Sequence, residues 1–151
     1  MTAVSSQDWL SDLVAFDTTS RLSNLQLINH VEEYLEQFGA RCERIESPCG
    51  KKANLHGIIG PEVNGGVVLS GHSDVVPVDG QAWDTDPFKL VEHDGKLFGR
   101  GTCDMKGFLA CALSAAPKFA KTALKRPVHF AISYDEEVGC LGAPDMIEKI
   151  W

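Results

Sequence analysis

The sequence predicts an α/β domain with a mostly parallel sheet, on three observations. Segments with apolar residues at helical spacing alternate with short apolar runs of strand type. Glycine, proline and polar clusters punctuate the boundaries between them. The chain has 151 residues, 44% hydrophobic and 23% charged, which suits one domain with a buried core and excludes a disordered or low-complexity chain.

Residues 7–16 read as a short amphipathic helix, with Trp9, Leu10, Leu13 and Val14 on one face and Ser5, Ser6 or Asp8 available as a cap. The polar run Asp17-Thr18-Thr19-Ser20 breaks it. A second helix spans about 23–38, where Leu25, Ile28, Val31, Leu35 and Phe38 share a face and Gly39 is a natural stop. Residues 41–46 and 53–59 are β-type runs parted by Pro48 and Gly50. Val67-Val68-Leu69-Ser70 is a compact apolar run, expected to form a buried strand. Residues 76–88 form a loop rich in Pro, Gly and Asp. A hairpin follows, with 89–92 and 96–98 about the Asp94-Gly95 turn. Residues 105–120 read as a helix with Phe108, Leu109, Ala112, Leu113 and Ala116 on one side, which Pro117 is expected to kink or shorten. Residues 128–134 are another buried strand, and a last helix begins near 142 and still runs at Trp151. Its apolar residues Met146, Ile147 and Ile150 have no C-cap after them. Residues 1–151 are therefore expected to be the N-terminal part of a longer domain.

Charge narrows the partners. Lys and Arg number 14 against 21 Asp and Glu, a net charge of −7, which disfavours nucleic acid and anionic membranes as partners. No apolar run is long enough for a membrane span, and the opening MTAVSSQDWL lacks the basic and apolar segments of a secretory signal. Five cysteines, an odd count without a C-x-x-C, predict reduced thiols and a cytoplasmic location. A structural zinc on Cys42 and Cys49 is disfavoured, because no second ligand pair follows.

Metal-type ligands gather in three places: Gly71-His72-Ser73-Asp74, the stretch from Gly101 to Gly107 around Asp104, and Asp135-Glu136-Glu137. The first and third follow predicted buried strands, at the edge where open α/β sheets place ligand sites. Equal stretches separate His72 from Asp104 and Asp104 from Glu136, each long enough for one crossover. Taken singly, each has a plain reading. His72 can be a hydrogen-bonded core residue, Asp104 a helix N-cap, Asp74 a surface residue and the glutamates a solvated turn. Taken together they favour a metal site, since adjacent carboxylates repel and a cation relieves the repulsion. His with several carboxylates suits zinc, cobalt or manganese. Asp74 is placed to accept the second imidazole N–H of His72. Cys103 reads as a packing residue. Gly99-Arg100-Gly101 is too short for a dinucleotide fingerprint, and phosphate-loop, G-x-S-x-G and H-E-x-x-H motifs are absent.

At these residues the chain resembles the aminoacylase and carboxypeptidase G family of two-zinc hydrolases. The likeness is carried by GHSDVVPV from Gly71, GRGTCDMKG from Gly99 and DEEVG from Asp135. The resemblance implies a three-layer α/β fold of a zinc-peptidase-like catalytic domain, incomplete at its C-terminus. It implies two divalent ions, zinc with cobalt as an alternative. His72 would bind one ion, Glu137 the other, and Asp104 would bridge them. Glu136 would be the general base and Asp74 would orient His72, and the peptide after Asp104 would be cis. The implied substrate is a small N-acyl amino acid whose amide is hydrolysed. A desuccinylase, a dipeptidase or a non-catalytic module are the alternatives. The family's two remaining ligands and its lid domain, through which a homodimer would form, fall beyond residue 151. The other histidines, His30, His56, His93 and His129, match no family motif.

Overall fold

The computed structural model describes residues 4–150. Residues 1–3, which open the stretch that lacks a secretory signal, and Trp151, to which the last helix is expected to run, lie outside them. The elements are α1 (Ser6–Ala15), α2 (Leu25–Gln37), β1 (Arg41–Glu46), β2 (Ala53–Ile59), β3 (Val67–His72), β4 (Val91–His93), β5 (Lys96–Phe98), α3 (Lys106–Lys121), β6 (Val128–Ser133) and α4 (Ala143–Ile150). Each predicted segment has its counterpart.

Local chemistry accounts for the boundaries. Ser5 caps α1 in a capping box: its hydroxyl accepts from the Asp8 N–H at 3.1 Å while the Asp8 carboxylate accepts from the Ser5 N–H. Gly39 ends α2 in the left-handed region at φ +76°. Asn24 opens α2 without capping it. Its side chain instead spans to Ala53, donating to the carbonyl at 2.8 Å and accepting from the N–H at 3.0 Å, and so pins the helix to β2. Pro117 does not shorten α3, which continues to Lys121. Proline removes one intrahelical bond, and burial of Leu113, Ala116 and Pro117 offsets that loss.

The α/β class is borne out, with a mixed sheet where a mostly parallel one is predicted. Its order is β1-β2-β6-β3, beside a separate β4-β5 hairpin. The β1–β2 and β2–β6 pairs are antiparallel and β3–β6 is parallel. The reason lies in the connections. A short turn joins β1 to β2 and returns the chain on itself, whereas β3 reaches β6 through a crossover containing α3.

Strand alternation assigns the layers. A Cβ on Gly57 would meet Leu35 of α2 at 2.9 Å, so odd-numbered positions of β2 face that helix. The neighbouring His56 therefore faces the other way. It pairs in register with Glu43, whose carboxylate accepts from Lys149 of α4 at 2.8 Å. Helix α4 thus covers the face opposite α2, giving three layers. The main core lies between the sheet and α1–α3 around Trp9, Leu13, Leu35, Leu113, Phe130 and Ile132. The expectation that β3 is buried is corrected. It is an edge strand among the described residues, with Val67 60% and Val68 44% exposed. An apolar run reads the same at an edge as in the middle of a sheet, because pairing partners are not written in the run itself.

Candidate metal centre

The parallel β3–β6 pair builds the rim. Register places His72, the last residue of β3, beside Ser133, the last of β6. Both strands end at one edge, so the segments 73–75 and 134–137 leave the sheet side by side. Their main chains are stitched where they leave: the Ser73 N–H donates to the Ser133 carbonyl at 2.8 Å.

His72 is buried, and its two ring nitrogens do different work. Nδ1 lies 3.0 Å from the Asp74 main-chain carbonyl, which can only accept, so Nδ1 donates. Nε2 then faces carboxylate oxygens, Asp104 Oδ1 at 3.1 Å and Glu136 Oε2 at 3.8 Å. An unprotonated Nε2 and a carboxylate are both acceptors. Such an approach needs a proton or a cation between them. Burial disfavours the imidazolium, but hydrogen bonds with Asp74 and Asp104 outweigh it and push His72 up to about 9.

Asp74 holds the glutamates by their backbone. Its buried carboxylate accepts from the N–H groups of Glu136 at 3.0 Å and Glu137 at 3.3 Å, and from the Ser20 hydroxyl at 2.7 Å. Burial alone would raise it. The adjacent His72 imidazole, with the bonds from Ser20 and the two amides, keeps it below the usual carboxylate range. The imidazole N–H assigned to this residue goes to its main-chain carbonyl, with Oδ1 standing off at 3.5 Å. Glu137 is raised by burial and by the nearby Asp104 carboxylate.

Asp104 ends a loop tied down from several sides. The Lys106 N–H donates to the Gly101 carbonyl at 2.8 Å, and Lys106 Nζ reaches the Phe16 carbonyl at 2.7 Å. A Cβ on Gly107 would stand 2.3 Å from the Thr102 carbonyl oxygen, so only glycine lets the first turn of α3 seat on this loop. The N-cap position of α3 is Met105, which frees Asp104 from the capping role. The Asp104–Met105 peptide is cis.

The donor set fits a divalent cation. His72, Glu136 and Glu137 each offer one ligand atom, and these atoms all lie within 4.8 Å of one another. Asp104 joins them through its contact with His72. One imidazole nitrogen with carboxylate oxygens is the chemistry zinc accepts, and four acidic side chains around one imidazole leave uncompensated negative charge for a cation to neutralise. One predicted feature differs: Cys103 is exposed rather than packed. All five cysteines are free thiols, in line with the reduced state expected of them. Three supporting residues are missed by sequence reasoning: Ser20, Lys52 and Asn24. The signal for Ser20 was present, since a polar run with no turn glycine or proline is a candidate for inward hydrogen bonding. Lysine at a strand start carries no such signal.

The comparisons with known proteins agree with this geometry. The family model of Peptidase family M20/M25/M40 matches residues 68–151. An acetylornithine deacetylase of Myxococcus xanthus is 43% identical over 144 residues, covering 92% of this chain and 37% of the relative. Human carnosine dipeptidase 1 superposes with a TM-score of 0.81 at 28% identity, over 95% of this chain and 34% of that one. An M20 family metallo-carboxypeptidase of Sulfolobus solfataricus superposes with a TM-score of 0.80 at 24% identity, over the same shares, and shows likeness of fold. The chain thus spans little more than a third of the length of these relatives. The matched region runs from β3 through α4 and takes in His72, Asp104, Glu136 and Glu137, and by that match the chain belongs to the M20/M25/M40 peptidase family.

Proposed function

We propose that residues 1–151 are the N-terminal part of the catalytic domain of a metal-dependent amide hydrolase acting on N-acetylornithine. Acetate and ornithine would be the products, placing the reaction in arginine biosynthesis. The observation that carries the metal-dependent reading is the convergence of His72, Glu136 and Glu137 donor atoms on one rim, with Asp104 against His72. The substrate assignment is supported by the 43% identity to an acetylornithine deacetylase. A dipeptidase is the second reading, favoured by the likeness to carnosine dipeptidase 1.

His72, Asp104 and Glu137 would hold the cations, two in number, with Asp104 shared; zinc is the first choice and cobalt the second. Divalent cations bound there supply Lewis acidity toward water and a carbonyl oxygen. Glu136 accepts the proton of the attacking water as its oxygen bonds to the amide carbon. It then delivers that proton to the leaving nitrogen as the C–N bond breaks. Asp74 keeps Glu136 in place through the 3.0 Å bond to its N–H and presents its own carbonyl to His72. A homodimer built through a lid domain belongs to the same proposal.

Calorimetric zinc titration tests it. The expected result is binding by the chain that weakens at least about tenfold in Glu137→Ala, where a ligand is lost. Glu136→Gln should bind zinc as the parent does, and should abolish acetate release from N-acetylornithine in a polypeptide of the relatives' full length. Equal, weak zinc binding in parent and Glu137→Ala would overturn the metal assignment. Faster turnover of a dipeptide than of N-acetylornithine would move the substrate to the second reading.

A further inference from the structure

We infer that Lys52 is a positioning residue for this rim: its ammonium clamps the Asp135 turn to the 17–20 turn, and through them fixes Glu136 and Glu137 on Asp74. The inference rests on the metal-centre reading for its purpose, and on the following contacts for its substance.

Lys52 immediately precedes β2, and its main chain is anchored by exchange with Ser47: the Ser47 N–H donates to the Lys52 carbonyl at 2.9 Å, and the Lys52 N–H to Ser47 Oγ at 3.1 Å. From that fixed base, Nζ donates to two acceptors, the Ser20 carbonyl and the Asp135 carboxylate. Side-chain exposure is 15% for Lys52 and 10% for Asp135, so water screens this pair far less than a surface pair.

Each acceptor leads to Asp74. Ser20, held by its carbonyl, donates its hydroxyl to Asp74 Oδ2 at 2.7 Å and its N–H to the Val75 carbonyl at 3.1 Å. Asp135 sits in the left-handed region at φ +56°, a conformation that few non-glycine residues adopt and that aspartate tolerates. The next two N–H groups, of Glu136 and Glu137, both meet Asp74. The Asp135 carbonyl closes the turn by accepting from Leu141 N–H at 3.1 Å. A closed cycle results: Lys52, Ser20, Asp74, the Glu136 amide, Asp135 and back to Lys52. Lys52 is its cation. Without it, the carboxylates of Asp135 and Asp74 would share a buried corner with no ammonium to balance them, and Asp135 would lose the partner that holds its turn.

The test uses the 151-residue chain with two readouts. Amide hydrogen exchange at Glu136 and Glu137 reports the clamp without any metal. Cobalt titration, followed by the visible spectrum of the bound ion, reports the site. The variants are Lys52→Met, Lys52→Arg and Asp135→Asn. Lys52→Met is expected to speed exchange at both glutamate amides about tenfold, the loss associated with a charge-assisted hydrogen bond, while amides in the β2–β6 ladder keep the parent's protection. Cobalt affinity should fall about tenfold with an altered spectrum, as for other residues that orient ligands. Lys52→Arg should restore both. Asp135→Asn should reproduce Lys52→Met, which keeps the test decisive if one variant fails to fold. Unchanged exchange at both glutamate amides in Lys52→Met or Asp135→Asn overturns the clamp. So does a uniform rise across the whole sheet, which marks a residue that only stabilises the fold. Absence of cobalt binding by the parent would count against the metal-centre reading alone, because the exchange arm decides the clamp independently.

Discussion

Cys42, near the start of β1, and Cys49, in the turn that follows β1, hold their thiols in opposite environments. Cys42 lies on β1 in partial burial, and that burial together with the Glu32 and Glu36 carboxylates pushes it up to about 12. Cys49 is exposed, and bonds from the Ser47 hydroxyl and the Lys51 backbone hold it below the ordinary thiol range. The thiolate is the nucleophile. Iodoacetamide near neutral pH should therefore modify Cys49 well before Cys42, as peptide mass mapping would follow; comparable rates would contradict these environments. The same contrast explains what sequence reasoning can see of the site. His72, Asp104, Glu136 and Glu137 stood out because their residue types and strand-end positions are local facts. Lys52 did not, because an ammonium in a turn normally faces water, and Ser20 was marked only by the polar run around it. Only contacts across 54 and 83 residues turn these two inward.

At the level of elements, β2 and β6 carry a histidine pair on the face toward α4. His56 Nε2 and His129 Nδ1 are 3.0 Å apart, with rings stacked at 13°. Burial first, and His129 second, hold His56 below its ordinary value of 6.5, while Glu43 pulls weakly the other way. The unfolded chain then binds more protons than the folded one below that value. Stability is fully present above pH 6.5 and declines as the pH falls from there toward the depressed folded value. Urea midpoints between about pH 7 and 5 should fall in the parent and flatten in His56→Gln, and parallel slopes would refute the assignment. Element types were legible throughout, since apolar spacing, Ser5, Gly39 and Asp94-Gly95 are local signals. Strand direction was not. It depends on which strands become neighbours, and β6 inserts between β2 and β3, which precede it in the chain. Register matters for the site as much as for the core. A slip of one residue between β3 and β6 would turn His72 to the opposite face, away from Asp74 and the glutamates.

For the molecule as a whole, the open side of β3 is the main liability among the described residues. An edge strand offers unpaired backbone groups, and here it adds the exposed side chains of Val67 and Val68. The chain should self-associate with rising concentration despite its net charge of −7, and Val68→Lys should shift it toward monomer. Sedimentation velocity over a concentration series would check this; a parent that stays monomeric would contradict it. No helix among the described residues is long and apolar enough to cross a membrane. The polar cycle around Asp74 also has a consequence in time. Its members are drawn from the beginning, the middle and the far end of the chain, so its closure carries the entropy of long loops. During synthesis the 17–20 turn leaves the ribosome long before Asp74, and Asp74 long before Asp135. A nascent chain that has completed α3 already displays His72 and Asp104, but the amides that occupy Asp74 have yet to be made. The proposed ligands His72, Asp104 and Glu137 come together only once β6 has threaded between its two older neighbours, so under the metal-centre proposal any loading of the site would follow completion of the sheet.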